Sequence, residues 1–285
     1  MLRKIVAVRR VLHDALGHFN YDDGWAMASH LAISALMALF PFLIFVTSLA
    51  GFLGADALSG AVVNLVFDTW PDQIAAPIAA EVRNVLTVQR GSFLTLSVIA
   101  TAFFASNGVE ALRISLNRAY RVTETRSLVY RRVQSLFFVL IATGSFLAVS
   151  YLLVLAPLVA AFAGKYMPWL EPHLQTTVLW RYTIATTVVI AALMAVHFWL
   201  PAGKRRFRHV IPGIGMTLVA WLAGSLLFAF YLDRFSNYAA TYAGLASMMI
   251  AIVFLYIVSA IFILGGEFNA AIRRYRDARA RAAGR

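Results

Sequence analysis

Two acidic residues, Glu110 and Glu267, each lie beside a long apolar stretch of the chain. A carboxylate next to hydrocarbon is costly to hold in its charged form, so each of these residues needs an explanation. If their two helices pack together, the pair could line a polar cavity, bind a cation or relay a proton. The structural alternative is that each acid pairs with a neighbouring arginine, such as Arg113 or Arg274, and closes the helix bundle.

Further polar side chains lie close to these two acids. At 100° per residue, Asn107 and Asn117 share a narrow arc of one helix with Glu110, and Asn269 lies two positions after Glu267. His197 interrupts another apolar stretch, where it could titrate near neutral pH or donate a hydrogen bond across a helix interface. The predicted cavity or translocation site comprises Asn107, Glu110, Asn117, His197, Glu267 and Asn269.

A second group of polar and aromatic residues is expected at the opposite ends of the later helices. These residues could form an external gate or binding rim, or they could be ordinary anchors at the membrane interface. The predicted external rim comprises Arg181, Asp233, Arg234, Tyr238 and Tyr242.

Motifs for common enzymatic and metal chemistry do not occur in the sequence. The chain has no cysteine, and its 6 histidines are scattered without an HxH or HExxH spacing. There is also no P-loop, GxGxxG or GxSxG motif. We therefore expect no metal, no cofactor and no enzymatic activity.

The composition is that of a membrane protein rather than of a water-soluble one. The 285 residues are 61% hydrophobic and only 13% charged, and the mean hydropathy is +0.76. A soluble domain is nearer half apolar and a quarter charged, so the surplus apolar surface must face lipid. No long polar stretch is present that could form a soluble domain, and we predict a single all-α membrane domain over residues 1–285.

Apolar runs divide the chain into six predicted transmembrane spans, because a bilayer core needs roughly 20 apolar residues per helix. The predicted spans are 31–54, 92–112, 133–163, 181–200, 212–231 and 242–266. Residues 55–91 mix charged residues, apolar residues and proline, which indicates short amphipathic helices in the first external loop.

The two ends of the chain are predicted to lie outside the hydrocarbon. Residues 1–30 suit an amphipathic helix in the headgroup region, with apolar residues at helical spacing among basic ones. The alternative is that this helix docks on other protein. Residues 267–285 are predicted to form a basic cytoplasmic tail. The apolar stripe of the N-terminal helix comprises Ile5, Val8, Leu12, Leu16 and Phe19.

The distribution of positive charge predicts the orientation of the spans. Four segments on one side of the six-span arrangement, 1–10, 113–132, 204–208 and 273–285, hold 20 of the 25 Lys and Arg residues. Cytoplasmic loops carry such an excess, so both termini are predicted to be cytoplasmic. The net charge of +12 is then a topological signal, and we expect contacts with anionic lipids rather than with nucleic acid.

Three segments resemble the YihY family, also called BrkB-like, of bacterial inner-membrane proteins. They are ASHLAISALMALFPFLIF (28–45), NGVEALRISLNRAYRV (107–122) and FSNYAATYAGLASMMIAIVFLYIVSAIFILGGEFNA (235–270). The residues that match the second and third motifs are Asn117, Tyr120, Tyr238, Tyr242, Gly244, Gly265, Glu267 and Asn269. The sequence departs from the family at 251–254, where many members have a tryptophan before the Leu-Tyr pair.

The resemblance implies a six-span protein of the bacterial inner membrane with an interfacial N-terminal helix. Members have been labelled ribonuclease BN, but no clustered His and Asp metal site is visible in this sequence to support that label. The resemblance also links the chain to virulence traits and to movement of solutes or envelope lipids, which is an association without a mechanism.

Two functional hypotheses follow. The first is a transporter-like protein that moves a small solute, an ion or an envelope lipid past the two carboxylates, since secondary transporters build sites around polar, interrupted helices. The second is a scaffold that does not transport and docks envelope or cytoplasmic partners through residues 55–91 and the basic tail. A homo-oligomer or an envelope protein partner is compatible with either hypothesis.

Overall fold

Every regular element that the structure describes is helical. The computed structural model describes residues 2–52, 93–155, 171–234 and 236–284, with no strand in these ranges. The helices are α1 (Leu2–Tyr21), α2 (Gly24–Phe52), α3 (Phe93–Tyr120), α4 (Leu128–Ser150), α5 (Glu171–Trp199), α6 (Ile211–Arg234) and α7 (Ser236–Ala282). A π-helical turn, Tyr151–Leu155, continues α4, and a 3₁₀ turn, Phe207–His209, precedes α6. The all-helical class is confirmed, whereas the predicted loop helices at 55–91 lie outside the described residues.

Four helical segments are long and apolar enough to cross a bilayer. They are Leu128–Leu153, Leu179–Trp199, Ile211–Arg234 and Met248–Ala282, and Gly24–Leu39 is a shorter apolar segment. The four correspond to the third to sixth predicted spans, which confirms several apolar membrane helices. The first two predicted spans fall on α2 and α3, and the count of six stays a prediction.

Apolar side chains on the outside of these helices show which faces lipid can cover. Leu140 on α4 is 70% exposed, and Val219 and Leu227 on α6 are each 70% exposed. Large apolar side chains exposed over a whole helix face are unusual for a soluble monomer. These faces are therefore the ones that a bilayer would cover.

The N-terminal region is two helices rather than the single predicted helix over 1–30. α1 ends at Tyr21, and Asp23 takes a left-handed conformation with φ 54° before α2 begins at Gly24. An L-residue in that conformation ends a helix, because it cannot continue the helical hydrogen-bond pattern. Residues 24–30 therefore belong to α2.

Helix α1 packs on α7 through a narrow part of its apolar side. Val11 and Ala15 are buried in a cluster with Ala271, whereas Leu12 and Leu16 remain exposed. Of the predicted apolar stripe, Val8 also remains exposed and Phe19 is fully buried, whereas the side chain of Ile5 lies outside the described part of the structure. The helix thus contacts other protein on one side and keeps an apolar face free on another.

The predicted basic tail is a continuation of the last span. α7 runs for 47 residues without a break, so residues 267–282 are helical and not an extended tail. The segment from Glu267 to Ala282 is rich in alanine and arginine and contains no glycine or proline, a composition that favours helix continuation.

One end of the bundle gathers most of the polar contacts and is called the polar end here. It is the end where α3 finishes at Tyr120 and α5 finishes at Trp199, and where α4 and α6 begin. α3 stops because Arg121 adopts φ 55°, and the Val122 N–H then donates to the carbonyl oxygen of Asn117 at 2.9 Å. This is a Schellman termination with arginine in the place where glycine is usual.

Two glycines let α6 and α7 approach closely near the polar end. A Cβ added at Gly213 would overlap the carbonyl oxygen of Gly265, and one added at Gly265 would overlap the Thr217 hydroxyl. The next residue, Gly266, faces Leu116 on α3 instead. Small residues at these positions bring three helices together without intervening side chains.

Candidate functional site

Glu110 is held by two arginines at the polar end. Its carboxylate accepts hydrogen bonds from Nη1 of Arg113 and, at 2.8 Å, from Nη1 of Arg131. Arg113 is 0% exposed, and its Nη2 also donates to the carbonyl oxygen of Arg131 and to Ser135 Oγ, each at 3.0 Å. Glu110 is therefore paired with arginines, as in the structural alternative to a transport site, and the ion pairs join α3 to α4.

The two asparagines on α3 are also bound to neighbouring segments. Asn107 Oδ1 accepts a hydrogen bond from Arg132 Nη1 at 2.7 Å. Asn117 donates through Nδ2 to Glu124 at 2.9 Å and accepts through Oδ1 from the Ala202 N–H at 2.7 Å. Asn117 thereby connects the end of α3 to the chain segments that follow both α3 and α5.

The loop between α3 and α4 caps the end of α5. Arg126 makes two hydrogen bonds of 2.7 Å to the Glu124 carboxylate and donates to the carbonyl oxygen of Leu200 at 2.9 Å. Gln134 donates to the carbonyl oxygen of Trp199 at 2.8 Å, so two carbonyls at the end of α5 are satisfied. The Arg126 guanidinium lowers the pKa of Glu124 to about 2.

A chain of hydrogen bonds crosses the polar end and joins four helices. The N–H of Gly213 donates to Asn269 Oδ1 at 2.6 Å, and Asn269 Nδ2 donates to the Tyr120 hydroxyl oxygen at 3.1 Å. The same hydroxyl lies 2.9 Å from Nδ1 of His197. Because Asn269 uses its amide as the donor, the Tyr120 O–H is left to donate to His197 Nδ1.

This chain determines the state of His197. Its ring is 0% exposed, Nδ1 accepts from Tyr120, and the proton is therefore on Nε2, which has no hydrogen-bond partner. The ring packs against Phe262 with centroids 4.7 Å apart, and the Arg205 guanidinium lies 4.3 Å from the Tyr120 ring centroid. His197 is thus hydrogen-bonded across a helix interface, but as the acceptor from Tyr120 rather than as the predicted donor.

Glu267 differs from Glu110 in how its charge is compensated. The residue is 1% exposed, its Oε2 atom has no hydrogen-bond partner, and the nearest guanidinium nitrogen, Arg274 Nη2, is 3.9 Å away. Arg274 is instead bound to Asp14 of α1 at 2.9 Å.

A cavity of about 450 Å³ lies between α1 and the end of α3, next to these groups. Asp14 and Arg121 line the cavity. Asp14 accepts a hydrogen bond from Arg274, the neighbour of Glu267, and Arg121 donates one to Asp22. The full lining comprises His13, Asp14, Gly17, His18, Tyr21 and Arg121. Asp14 therefore connects the cavity to Arg274, whose Nη2 lies 3.9 Å from the buried carboxyl group.

The two predicted carboxylates do not share partners in the part of the chain that the structure describes. Glu110 is bound to Arg113 and Arg131, whereas Glu267 adjoins Arg274, and neither acid is among the residues lining the cavity. The remaining four predicted residues, Asn107, Asn117, His197 and Asn269, all take part in hydrogen bonds at the polar end.

The predicted external rim lies at the other end of the bundle. Asp233 and Arg234 are exposed at the end of α6, and Arg181 is in the first half of α5 with a buried Nε atom that has no hydrogen-bond partner. The side chains of Tyr238 and Tyr242 lie outside the described part of the structure. No contact among the described rim residues supports or contradicts a gate.

Several residues at the polar end were not predicted as site residues. Tyr120 and Glu124 belong to this group, as do Asp14 and Asp22, which α1 and its turn bring to α7. Tyr120 carried a usable signal because it matched a family motif. The spacing of Asp14 and His18, which are four residues apart, was a second usable signal, because it puts both side chains on the same side of α1.

Comparisons with known proteins agree with the helical architecture. The family described as Virulence factor BrkB matches residues 15–285. The chain is 27% identical over 263 residues to the ribonuclease-like protein YfkH of Bacillus subtilis, covering 92% of this chain and 95% of that protein. No solved structure matches the chain.

Two further relatives are described only as UPF0761 membrane proteins. The one from Pseudoalteromonas atlantica is 22% identical over 259 residues, covering 89% of this chain and 83% of that protein. The one from Alteromonas mediterranea is 24% identical over 275 residues, covering 92% of this chain and 88% of that protein. Both similarities extend over most of the apolar helices described above.

Proposed function

The chain belongs to the BrkB virulence factor family of membrane proteins, and on that basis we propose that it is a transporter-like protein of the bacterial inner membrane. In this proposal the bundle has six spans with both termini in the cytoplasm. The cargo class is a small solute, an ion or an envelope lipid, and the polar end is the cytoplasmic end.

The charge distribution supports this orientation. Segments 1–10, 113–132, 204–208 and 273–285 hold 20 of the 25 Lys and Arg residues. The described residues of the last three segments lie at the polar end or beyond it. The chain has no cysteine, so single cysteines can report the topology. A membrane-impermeant maleimide should label Arg234→Cys in intact spheroplasts and Ala283→Cys only after permeabilisation. The opposite labelling would reverse the orientation.

One observation carries the transport proposal: the buried Glu267 carboxyl group has an unpartnered oxygen and adjoins a polar path to a 450 Å³ cavity. A purely structural acid in a membrane helix is expected to be paired, as Glu110 is, because an uncompensated polar atom there is costly. An acid that is left open to exchange a proton or a cation is typical of transport sites.

Flux in reconstituted liposomes tests this proposal. Protons, followed with an enclosed pH-sensitive dye, and a fluorescent phospholipid are the two probes. Wild-type protein should carry at least one of them faster than protein-free liposomes, and Glu267→Gln should abolish the difference. Asp277→Asn, which removes an exposed acid from the same helix, is the matched control and should retain the flux. Flux equal to that of empty liposomes for both probes would reject the proposal.

A scaffold that docks envelope or cytoplasmic partners is the second candidate. The observation in its favour is the exposed basic end of α7, which extends beyond the packed bundle. Its exposed arginines are Arg273, Arg276, Arg279 and Arg281. A chain shortened after Tyr275 loses Arg276, Arg279 and Arg281 but keeps Arg274. Full flux in this variant would separate the exposed surface from transport, and its loss of partner binding would support the scaffold.

We propose further that the chain is not an enzyme and does not bind nucleic acid. The described residues contain no group of three or more His, Cys, Asp or Glu side chains that could hold a metal. Because YfkH is described as ribonuclease-like, a nuclease assay is the appropriate test. Purified protein loaded with Mg²⁺, Mn²⁺ or Zn²⁺ should cleave RNA no faster than a heat-inactivated sample.

A further inference from the structure

Charged and titratable groups surround Glu267 on three elements. Tyr120 and Arg121 lie at the end of α3, Asp22 follows α1, and Arg274 is on α7. Asp14 and His18 of α1 are one contact further away, because both are bound to Arg274.

Both guanidinium groups near Glu267 are hydrogen-bonded to other residues. Arg121 donates to Asp22. Arg274 donates through Nε to Asp14 at 2.9 Å, and its Nη2 lies 3.2 Å from His18 Nδ1. Glu267 therefore has Arg274 Nη2 within 3.9 Å of its Oε2 but has no hydrogen bond from either guanidinium group.

Burial makes the charged form of Glu267 unfavourable, because it removes the water that would screen the carboxylate. No hydrogen bond to Oε2 compensates for that loss. A proton on the carboxyl group removes the cost of the buried charge.

We propose that Glu267 is a proton-binding site, with Arg274 as a movable counter-charge that α1 holds away through Asp14. With Arg274 on Asp14, the proton is held by the Glu267 carboxyl group. When Arg274 turns to Glu267, the proton leaves for water in the adjoining cavity, and the guanidinium group balances the carboxylate that forms. The required movement is short, because Arg274 Nη2 is already 3.9 Å from Glu267 Oε2.

This arrangement couples the position of α1 to the protonation of Glu267. Arg274 cannot bind Asp14 and Glu267 fully at once, so loss of the proton weakens the contact between α1 and α7. The inference deepens the proposed transport site by naming its ligand, and only its role in transport rests on the proposed function.

Infrared difference spectroscopy on the full chain in lipid nanodiscs tests the proton directly. At neutral pH the wild type should show the carbonyl stretch of a protonated carboxylic acid, and raising the pH should remove it. Glu267→Gln should lack this band, whereas Asp277→Asn should retain it. Absence of the band in the wild type, or its survival in Glu267→Gln, would overturn the inference.

A second variant tests the counter-charge and does not depend on the folding of Glu267→Gln. Asp14→Asn frees Arg274, so the band should disappear at a pH about one unit lower or more, as expected when a cation approaches a carboxyl group. The same variant should increase the mobility of a spin label at Gly17→Cys, a position with open space around it. An unchanged titration midpoint in Asp14→Asn would exclude Arg274 as the counter-charge.

The spectroscopic result and the flux result are independent. A band that depends on Glu267 in a protein without flux would support the proton site and reject the transport proposal. Flux that depends on Glu267 without any protonated acid would reject the proton site and retain transport of another cargo.

Discussion

Asn269 on α7 accepts a hydrogen bond of 2.6 Å from the backbone N–H of Gly213, 56 residues earlier in the chain at the start of α6. The N–H groups of a first helical turn have no partner within their own helix, so a side chain from another helix satisfies this one. The contact requires the close approach of α6 and α7 that their glycines permit. It also orients the amide that binds Tyr120.

Gly213→Ala should destabilise the protein by about 1–3 kcal/mol, because the added Cβ overlaps the backbone of Gly265 and the amide of Asn269. SDS-induced unfolding in mixed micelles measures the loss. Gly215→Ala is the matched control: nothing lies within 4 Å of its Cβ position, and alanine favours the helix. Equal stability of the two variants would contradict the close helix contact.

Tyr120→Phe should cost about 1–3 kcal/mol, because it leaves the buried Asn269 amide and His197 Nδ1 without their shared partner. The same unfolding assay measures this loss. Tyr130→Phe, which changes a tyrosine that is 54% exposed, should be close to neutral. If Tyr120→Phe were as stable as the wild type, the hydroxyl would not connect the four helices.

Glu110→Gln should lower stability by about 3 kcal/mol, because the wholly buried Arg113 loses its carboxylate partner. The flux per folded molecule should stay unchanged, in contrast to Glu267→Gln. The stability loss of the double variant Glu110→Gln with Arg113→Met should be smaller than the sum of the two single losses. Additive losses would show that the two residues are not coupled.

The bond between Arg126 and Glu124 should make stability depend on pH in the acid range. The folded-state pKa of Glu124 is lowered to about 2, from an ordinary value of 4.5. Its stabilising contribution is therefore complete above about pH 4.5 and is lost as the pH falls towards 2. Unfolding measured between pH 5 and pH 3 should show a smaller loss of stability in Glu124→Gln than in the wild type. Identical pH profiles would contradict the assignment.

Much of the architecture could be predicted from the local sequence. Runs such as 212–231 and 242–266 must be helical in a bilayer, because a helix satisfies every backbone hydrogen bond within its own segment. These predicted ranges fall within α6 and α7. Boundaries were less predictable, because Arg121 ends α3 in a left-handed conformation at a position where the sequence has no glycine.

The partners of the candidate site residues could not be derived from the sequence. Glu110 and Glu267 look alike there, since each is an acid at the end of an apolar run with an arginine close by. The structure distinguishes them through residues that are distant in sequence. Arg131 comes from α4 to Glu110, whereas Asp14 comes from α1 and draws Arg274 away from Glu267.

Composition, apolar run lengths and the absence of common motifs determined the class of this protein, because they depend only on which residues occur and how they are spaced. The tertiary structure decided which acid is compensated and which is left open. That outcome depends on which side chains from other helices reach each carboxyl group, and helix packing sets those distances.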